Sequence, residues 1–192
     1  MKTLHGGDIR AARSSDLADF MAIVASLDDP SILFGPGAGG AGPVTASFYE
    51  IQFRTPFGFL GYRHASVLDI DGRIAGFSIG LPLDRLRKLE GNSLPEELLK
   101  ERYGDDLSTV LVINLVAVSQ GHRRRGIATR LVRCAVDEAK AKGCRFVMTQ
   151  CWKRNKASLR SIEEFGFRLF LETTYQLSDA VMDSYMYFDH KC

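Results

Sequence analysis

Three consecutive arginines, Arg123, Arg124 and Arg125, run into Gly126 and Ala128. These residue types at this spacing suit an anion. Arginine carries a fixed positive charge and a fork of donors that matches phosphate. An apolar run, residues 111–118, precedes them and is broken only by Asn114. The turn residues Ser119, Gln120 and Gly121 lie between, and Ile127, Leu131, Cys134 and Ala135 then recur at helical spacing. A short β-branched run predicts a buried strand, so strand gives way to helix within a few residues. A helix start offers unpaired backbone N–H groups and the positive end of the helix dipole, which together make an anion site. Gly126 allows close approach because no Cβ stands in the way. The expected ligand carries phosphates. The plain alternative is a solvated helix start, the common reading of a charged run.

Two well-known phosphate loops are excluded by spacing. No G-x-x-x-x-G-K-[ST] string is present, and no G-x-G-x-x-G follows the strand. What remains is R-x-x-G-x-A, carried by Arg123, Gly126 and Ala128. A second pattern spans 155–167, NKASLRSIEEFGF, with Asn155, Ser158, Gly166 and Phe167 as its fixed points. The two patterns, in this order and separated by one strand, resemble the GCN5-related N-acetyltransferase (GNAT) superfamily. The resemblance covers 111–167 firmly. A hairpin at 66–81 and a first helix support it loosely.

The resemblance implies an acyl-CoA site. Val116, Ala117 and Val118, at the end of a central strand that splays from its neighbour, would pair with the pantetheine arm much as an added strand does. Arg123, Arg124, Arg125, Gly126, Ile127 and Ala128 would hold the pyrophosphate. Asn155 would bond the arm, with Ser158 beside it on the cofactor side; the alternative for Asn155 is a helix cap. The implied reaction is attack by a neutral amine on the acetyl thioester of acetyl-CoA. An N–H of Val116 or Val118 would donate to the carbonyl oxygen as charge develops.

The catalytic positions depart from the family pattern. Ile162 stands where many members carry a tyrosine acid, and Val112, Asn114 and Gln150 stand where others carry a base. Asn114 can orient a water but cannot take its proton near neutral pH. Tyr175, Glu172 and Glu50 are the alternative acids, with Tyr175 preferred. The thiolate is also a tolerable leaving group without one.

Composition narrows the class. The chain has 192 residues, 45% of them hydrophobic, which suits one domain over 1–192. Lys plus Arg is 25 and Asp plus Glu is 23, so the net charge is only +2. That balance argues against a nucleic-acid partner. No apolar stretch reaches the ~18 residues of a membrane span, and the first residues lack the apolar core of a signal peptide. The four cysteines include no C-x-x-C pair, so no metal is expected and a reducing cytoplasm fits.

The elements that must position these residues follow in order. A short strand is expected at 8–12. Ser14 or Ser15 should cap a helix with Leu17, Phe20, Met21, Val24 and Leu27 on its apolar face, ended by Pro30. A Gly-rich tract spans 35–43. Phe48, Tyr49, Phe53, Phe57, Phe59 and Tyr62 follow, as core or as the lining of an acceptor pocket. Asp71-Gly72 predicts a type I′ hairpin. A charged insert at 82–107 holds a short helix begun near Pro95. The central strand and arginine loop lead to a helix stopped by Gly143. A strand at 145–151, a helix at 155–165 closed by Gly166, and antiparallel strands at 167–174 and 184–188 complete the chain.

The expected fold is α/β (α+β): a mixed, mostly antiparallel twisted sheet with a central splayed parallel strand pair, flanked by helices. The expected function is acetyl-CoA-dependent acetyl transfer to a primary amine of a small molecule or protein. The alternative is a protein of this fold that binds acyl-CoA without efficient transfer. Dimers are common in the family, which leaves a homodimer open.

Overall fold

Asp71 and Gly72 both take positive φ, 53° and 80°, as a type I′ turn demands. In this computed structural model, which describes residues 7–27, 46–55, 61–90, 94–178 and 181–192, that turn joins β2 (Ala65–Ile70) to β3 (Arg73–Pro82). The strands are antiparallel, as the sequence predicts, with an irregularity at Leu68/Asp69. The Asp69 carboxylate accepts the Gly72 N–H at 2.8 Å. β1 (Asp8–Ala11) pairs antiparallel with β2.

The first helix starts differently from expectation. Ser14 and Ser15 form a 3-10 turn with Asp16, and α1 runs Leu17–Ala25. Asp16 does the fastening instead. Its carboxylate accepts the Arg13 N–H at 2.8 Å and two Arg10 bonds at 2.9 Å. An ionised acceptor with a cationic partner outcompetes a neutral hydroxyl. The Arg10 guanidinium holds the Asp16 carboxyl below the usual carboxylate range. α1 buries Phe20, Ile23 and Val24; Leu17, Met21 and Leu27 are half-buried. Part of the aromatic-rich stretch is helical, α2 (Ala46–Arg54). Its Phe53 is 1% exposed and lies 4.3 Å from Phe20, which lies 4.5 Å from Phe77. Phe53 is therefore core, and Tyr62 is half-buried at its edge. Pro30, residues 35–43, Phe57, Phe59 and the side chains of Phe48 and Tyr49 lie outside the described residues.

The remaining strands are β4 (Val110–Val118), β5 (Phe146–Trp152), β6 (Arg168–Ser178) and β7 (Val181–Lys191). The hydrogen-bonded order is β1-β2-β3-β4-β5-β7-β6. β4 and β5 are parallel, while β5·β7 and β6·β7 are antiparallel. Helix α5 (Ile127–Ala141) connects the parallel pair, and α6 (Lys156–Glu164) follows β5. The charged insert holds two helices rather than one: α3 (Leu83–Glu90) and α4 (Glu96–Tyr103), the latter with Pro95 at its N-cap position. Gly143 and Gly166, at φ 78° and 90°, follow α5 and α6 and end them in the left-handed conformation that glycine accepts best.

The packing divides into two compact units. The first comprises the described residues among Met1–Pro30, Val44–Gly80 and Asn114–Asp137. The second comprises those among Leu81–Ile113 and Glu138–Cys192. In the second, Asp189 is 6% exposed and fully engaged. Arg102 donates to it at 2.5 and 3.0 Å and the Tyr103 hydroxyl at 3.1 Å. Arg145 donates to the Tyr103 carbonyl. A buried carboxylate needs this number of donors to offset its lost hydration.

Asp16→Asn is expected to cost about 1–3 kcal/mol near neutrality. The folded pKa of Asp16 is lowered, so the stability it supplies is present above its unfolded value and lost as pH falls through the folded one. Urea unfolding from pH 7 to 3 should show the gap to wild type closing below about pH 4. A gap independent of pH would contradict this role.

Candidate functional site

The β4–α5 junction belongs to the first unit and is built on a packing constraint. Ile127, the first residue of α5, is 2% exposed and sits with Leu68, Ala75 and Leu131 in one core cluster, against which Val116 and Val118 pack. Beneath it is Gly76 of β3. A Cβ there would lie 2.9 Å from the Ala117 carbonyl oxygen and 3.0 Å from Ile127 Cγ2. The missing side chain lets the start of α5 settle at the end of β4. Ser119 N–H donates to the Ala75 carbonyl at 2.9 Å, which fixes where β4 ends. On the far face, Arg130 of α5 donates to the Gly7 carbonyl at 2.7 Å.

The loop between them has two left-handed residues, Arg124 at φ 60° and Gly126 at φ 75°. For arginine this conformation costs about 1–2 kcal/mol, a strain of the kind that collects at ligand sites. The Gly126 carbonyl accepts the Arg130 N–H at 3.0 Å, the first turn of the helix, so Gly126 stands at the N-cap. It brings no side chain to satisfy the leading amides, and the first turn of α5 contains no acidic residue. A Cβ at Gly126 would meet nothing within 4 Å. The space beside the N-cap is thus open, at the positive end of a fifteen-residue helix whose leading amides have no partner within the helix itself.

The three arginines divide. Arg123 is half-buried and structural: it donates to the Ser26 carbonyl at 2.9 Å and toward the Val118 carbonyl at 3.4 Å. Arg124 and Arg125 are exposed and keep their charge for solvent or a ligand. Ser119 and His122 close the turn at 2.8 Å.

Along β4, Ala117 is buried while Asn114, Val116 and Val118 are half-buried. The parallel ladder comprises four pairs, from Val110↔Phe146 to Ile113↔Thr149, whereas β4 itself continues to Val118. At its end the Thr149 hydroxyl donates to the Ile113 carbonyl at 3.1 Å. A side chain thus takes an acceptor where the backbone ladder stops. Of the positions that depart from the family pattern, Val112, at a base position, is buried, and Ile162, at the acid position, is half-buried on α6.

The second unit holds Asn155, Ser158 and Tyr175. Asn155 caps α6: its Oδ1 accepts the Ser158 N–H at 3.2 Å. The cap fixes which end of the amide is oxygen, so Nδ2 is the end left to donate. Its backbone N–H donates to the Trp152 carbonyl at 2.9 Å. Tyr175 on β6 is half-buried, edge-on to Trp152 at 6.1 Å. The rival acids are engaged. Glu172 is paired with Lys153 at 2.8 Å, and that hydrogen bond holds its carboxyl below the usual range. Glu50 is paired with Arg54 at 3.0 Å. Cys151, 5% exposed, has its thiol pushed up to about 12 by burial, so it is no nucleophile. Sequence reasoning passed over Gly76, whose only signal was a glycine inside a strand pattern.

The comparisons with known proteins agree with this geometry. A family model described as Acetyltransferase (GNAT) family matches residues 41–167. Among curated proteins, none matches the chain. Solved structures share its fold. An N-acetyltransferase from Staphylococcus aureus Mu50 superposes with TM-score 0.65 at 21% identity, covering 97% of this chain and 98% of its own. For yncA from Salmonella typhimurium with its cofactor acetyl-CoA, the values are 0.65, 16%, 97% and 94%. For the ribosomal-protein-S18-alanine N-acetyltransferase of Escherichia coli they are 0.63, 14%, 97% and 94%.

Gly76→Ala is expected to destabilise by about 1–3 kcal/mol through overpacking. Gly121→Ala, where a Cβ meets nothing within 4 Å, should be near neutral. Denaturant midpoints of the two variants check this. Equal midpoints would remove Gly76 as the residue that seats α5.

Proposed function

This chain belongs to the acetyltransferase (GNAT) family, and from that premise we propose that it is an acetyl-CoA-dependent N-acetyltransferase acting on a primary amine of a small molecule or protein. The observation that carries the reading is the helix start at Gly126, an N-cap residue without a side chain, with open space where a Cβ would stand and no acidic residue in the first turn that follows. That is the chemistry a pyrophosphate needs. The solved relative holding acetyl-CoA supports the donor, and the relative named for a ribosomal-protein alanine supports an amine acceptor.

The residues take the following roles. The amides of Gly126, Ile127 and Ala128 bind the pyrophosphate, and Arg124 and Arg125 add positive potential. Arg123 acts indirectly, by tying the loop to the Val118 and Ser26 carbonyls. Val116, Ala117 and Val118 offer backbone groups to the pantetheine arm, and Nδ2 of Asn155 donates to it. Ser158 serves through its amide, which holds Asn155 in place. The donor supplies an activated acetyl group. A Val116 or Val118 N–H donates to the carbonyl oxygen as negative charge builds there. Asn114 orients the amine or a water that removes its proton to solvent. As the new C–N bond forms the C–S bond breaks, and Tyr175 returns a proton to the leaving sulfur. Of the three candidate acids, Tyr175 alone is not tied to a basic side chain that would hold its proton off.

Two amides and two aliphatic residues at the usual acid and base positions favour a second reading, an acyl-CoA-binding protein with little turnover. Thiol release separates the two. A thermal shift with acetyl-CoA should appear first, since a ligand at a hundredfold excess over Kd adds about 2.7 kcal/mol of stability. Thiol release with an amine panel should follow; a shift without release selects the binding protein. Gly126→Glu should abolish the shift in a folded variant, because a carboxylate would occupy the anion position. Unchanged affinity would remove the loop assignment. Tyr175→Phe should lower kcat by ten- to a thousandfold with CoA affinity retained, and equal turnover would exclude it as the acid.

A further inference from the structure

The turn from β5 to α6, residues 153–155, is held to the β6–β7 hairpin far more firmly than a three-residue connection requires. Lys153 N–H donates to the Ser184 carbonyl at 2.7 Å, and its ammonium meets Glu172 at 2.8 Å. Arg154 meets Asp183 at 2.9 Å. The same guanidinium lies 5.0 Å from the Trp152 ring centroid. Trp152 is 3% exposed and packed edge-on by Tyr185 at 4.9 Å and Tyr175 at 6.1 Å. Asp183 is ordered in turn: its Oδ1 accepts the Ser184 N–H at 2.8 Å while Oδ2 takes Arg154, and its side chain is only 11% exposed.

Asn155 is the next residue. Its backbone N–H rests on the Trp152 carbonyl and its Oδ1 on the Ser158 N–H. The origin of its side chain therefore depends on where Trp152 and Arg154 sit, and its direction on the first turn of α6. A half-exposed ion pair contributes little stability by itself. Stacked on an indole and opposite a carboxylate that is itself held, it fixes a position, and arginine is the residue that can stack and pair at once.

We propose that the Arg154–Asp183 pair, laid over Trp152, is a positioning device that presents the Asn155 amide to the pantetheine arm of acyl-CoA. Arg154 and Asp183 are positioning residues and touch no ligand. The inference rests on the acyl-CoA reading above. It adds that affinity for the arm is governed by the β6–β7 hairpin, which supplies none of the residues assigned to the pyrophosphate.

The test is calorimetric titration of the full chain with CoA and with adenosine 3′,5′-bisphosphate, which lacks the arm. Arg154→Met keeps the cover over Trp152 and removes the charge; Asp183→Asn is the milder second variant should Arg154→Met fold poorly. Each should weaken CoA about fivefold, the worth of one hydrogen bond, and change the bisphosphate less than twofold. Because Arg154 acts through Asn155, the double variant R154M/N155A should bind CoA no more weakly than Asn155→Ala alone. Full CoA affinity in folded variants, equal weakening of both ligands, or additive losses would each overturn the proposal. Wild-type protein that binds no CoA would instead defeat the acyl-CoA reading, and this inference with it.

Discussion

Ile127 must be buried and the amide it carries must stay open, and much of the first unit is arranged to satisfy both. The side chain goes down among Leu68, Ala75 and Leu131. The backbone above it has no capping side chain because Gly126 precedes it. Only a neighbour without a Cβ lets the helix sit that low, and Gly76 is that neighbour, with Ala117 and Ile127 already at contact distance from where its Cβ would be. Burial of one isoleucine contributes about 1.5–3 kcal/mol. It thus anchors a helix terminus whose unsatisfied amides would otherwise be a liability.

Electrostatics works with that geometry and does not create it. The net charge of the chain is only +2, so no global field draws an anion in. Local charge does, and it is shared unequally. Arg123 is turned inward onto two carbonyls, which leaves Arg124 and Arg125 as the exposed cations. The left-handed φ of Arg124 lies in the same loop, two residues before the N-cap.

The parts legible in the sequence are those governed by local rules. Asp71-Gly72 specifies its own turn, the 111–118 run its own strand, and the glycines at 143 and 166 their own helix ends. Asn155 was legible as a cap, and the cap is what its Oδ1 does. The parts that were not legible depend on distant partners. Ser14 and Ser15 looked like caps because they are favoured there, but Asp16 with Arg10 outcompetes them. Helix α3 was missed although Leu83, Leu86 and Leu89 recur at helical spacing, because the charged residues between them read as a solvated insert; among its described side chains Leu83 and Leu86 are buried. The standing of Glu172 and Glu50 as acids could not be judged before Lys153 and Arg54 were seen beside them.

The central claim is that the first amides of α5 bind a pyrophosphate. Backbone ¹H–¹⁵N spectra of the assigned protein, titrated with CoA, test it directly. The account predicts that the Gly126, Ile127 and Ala128 amide protons move downfield together, as hydrogen bonds to an anion form. Inorganic pyrophosphate should shift the same three more weakly, and the Val116 to Val118 amides should respond to CoA alone. Saturation with CoA that leaves those three amides unmoved would contradict it.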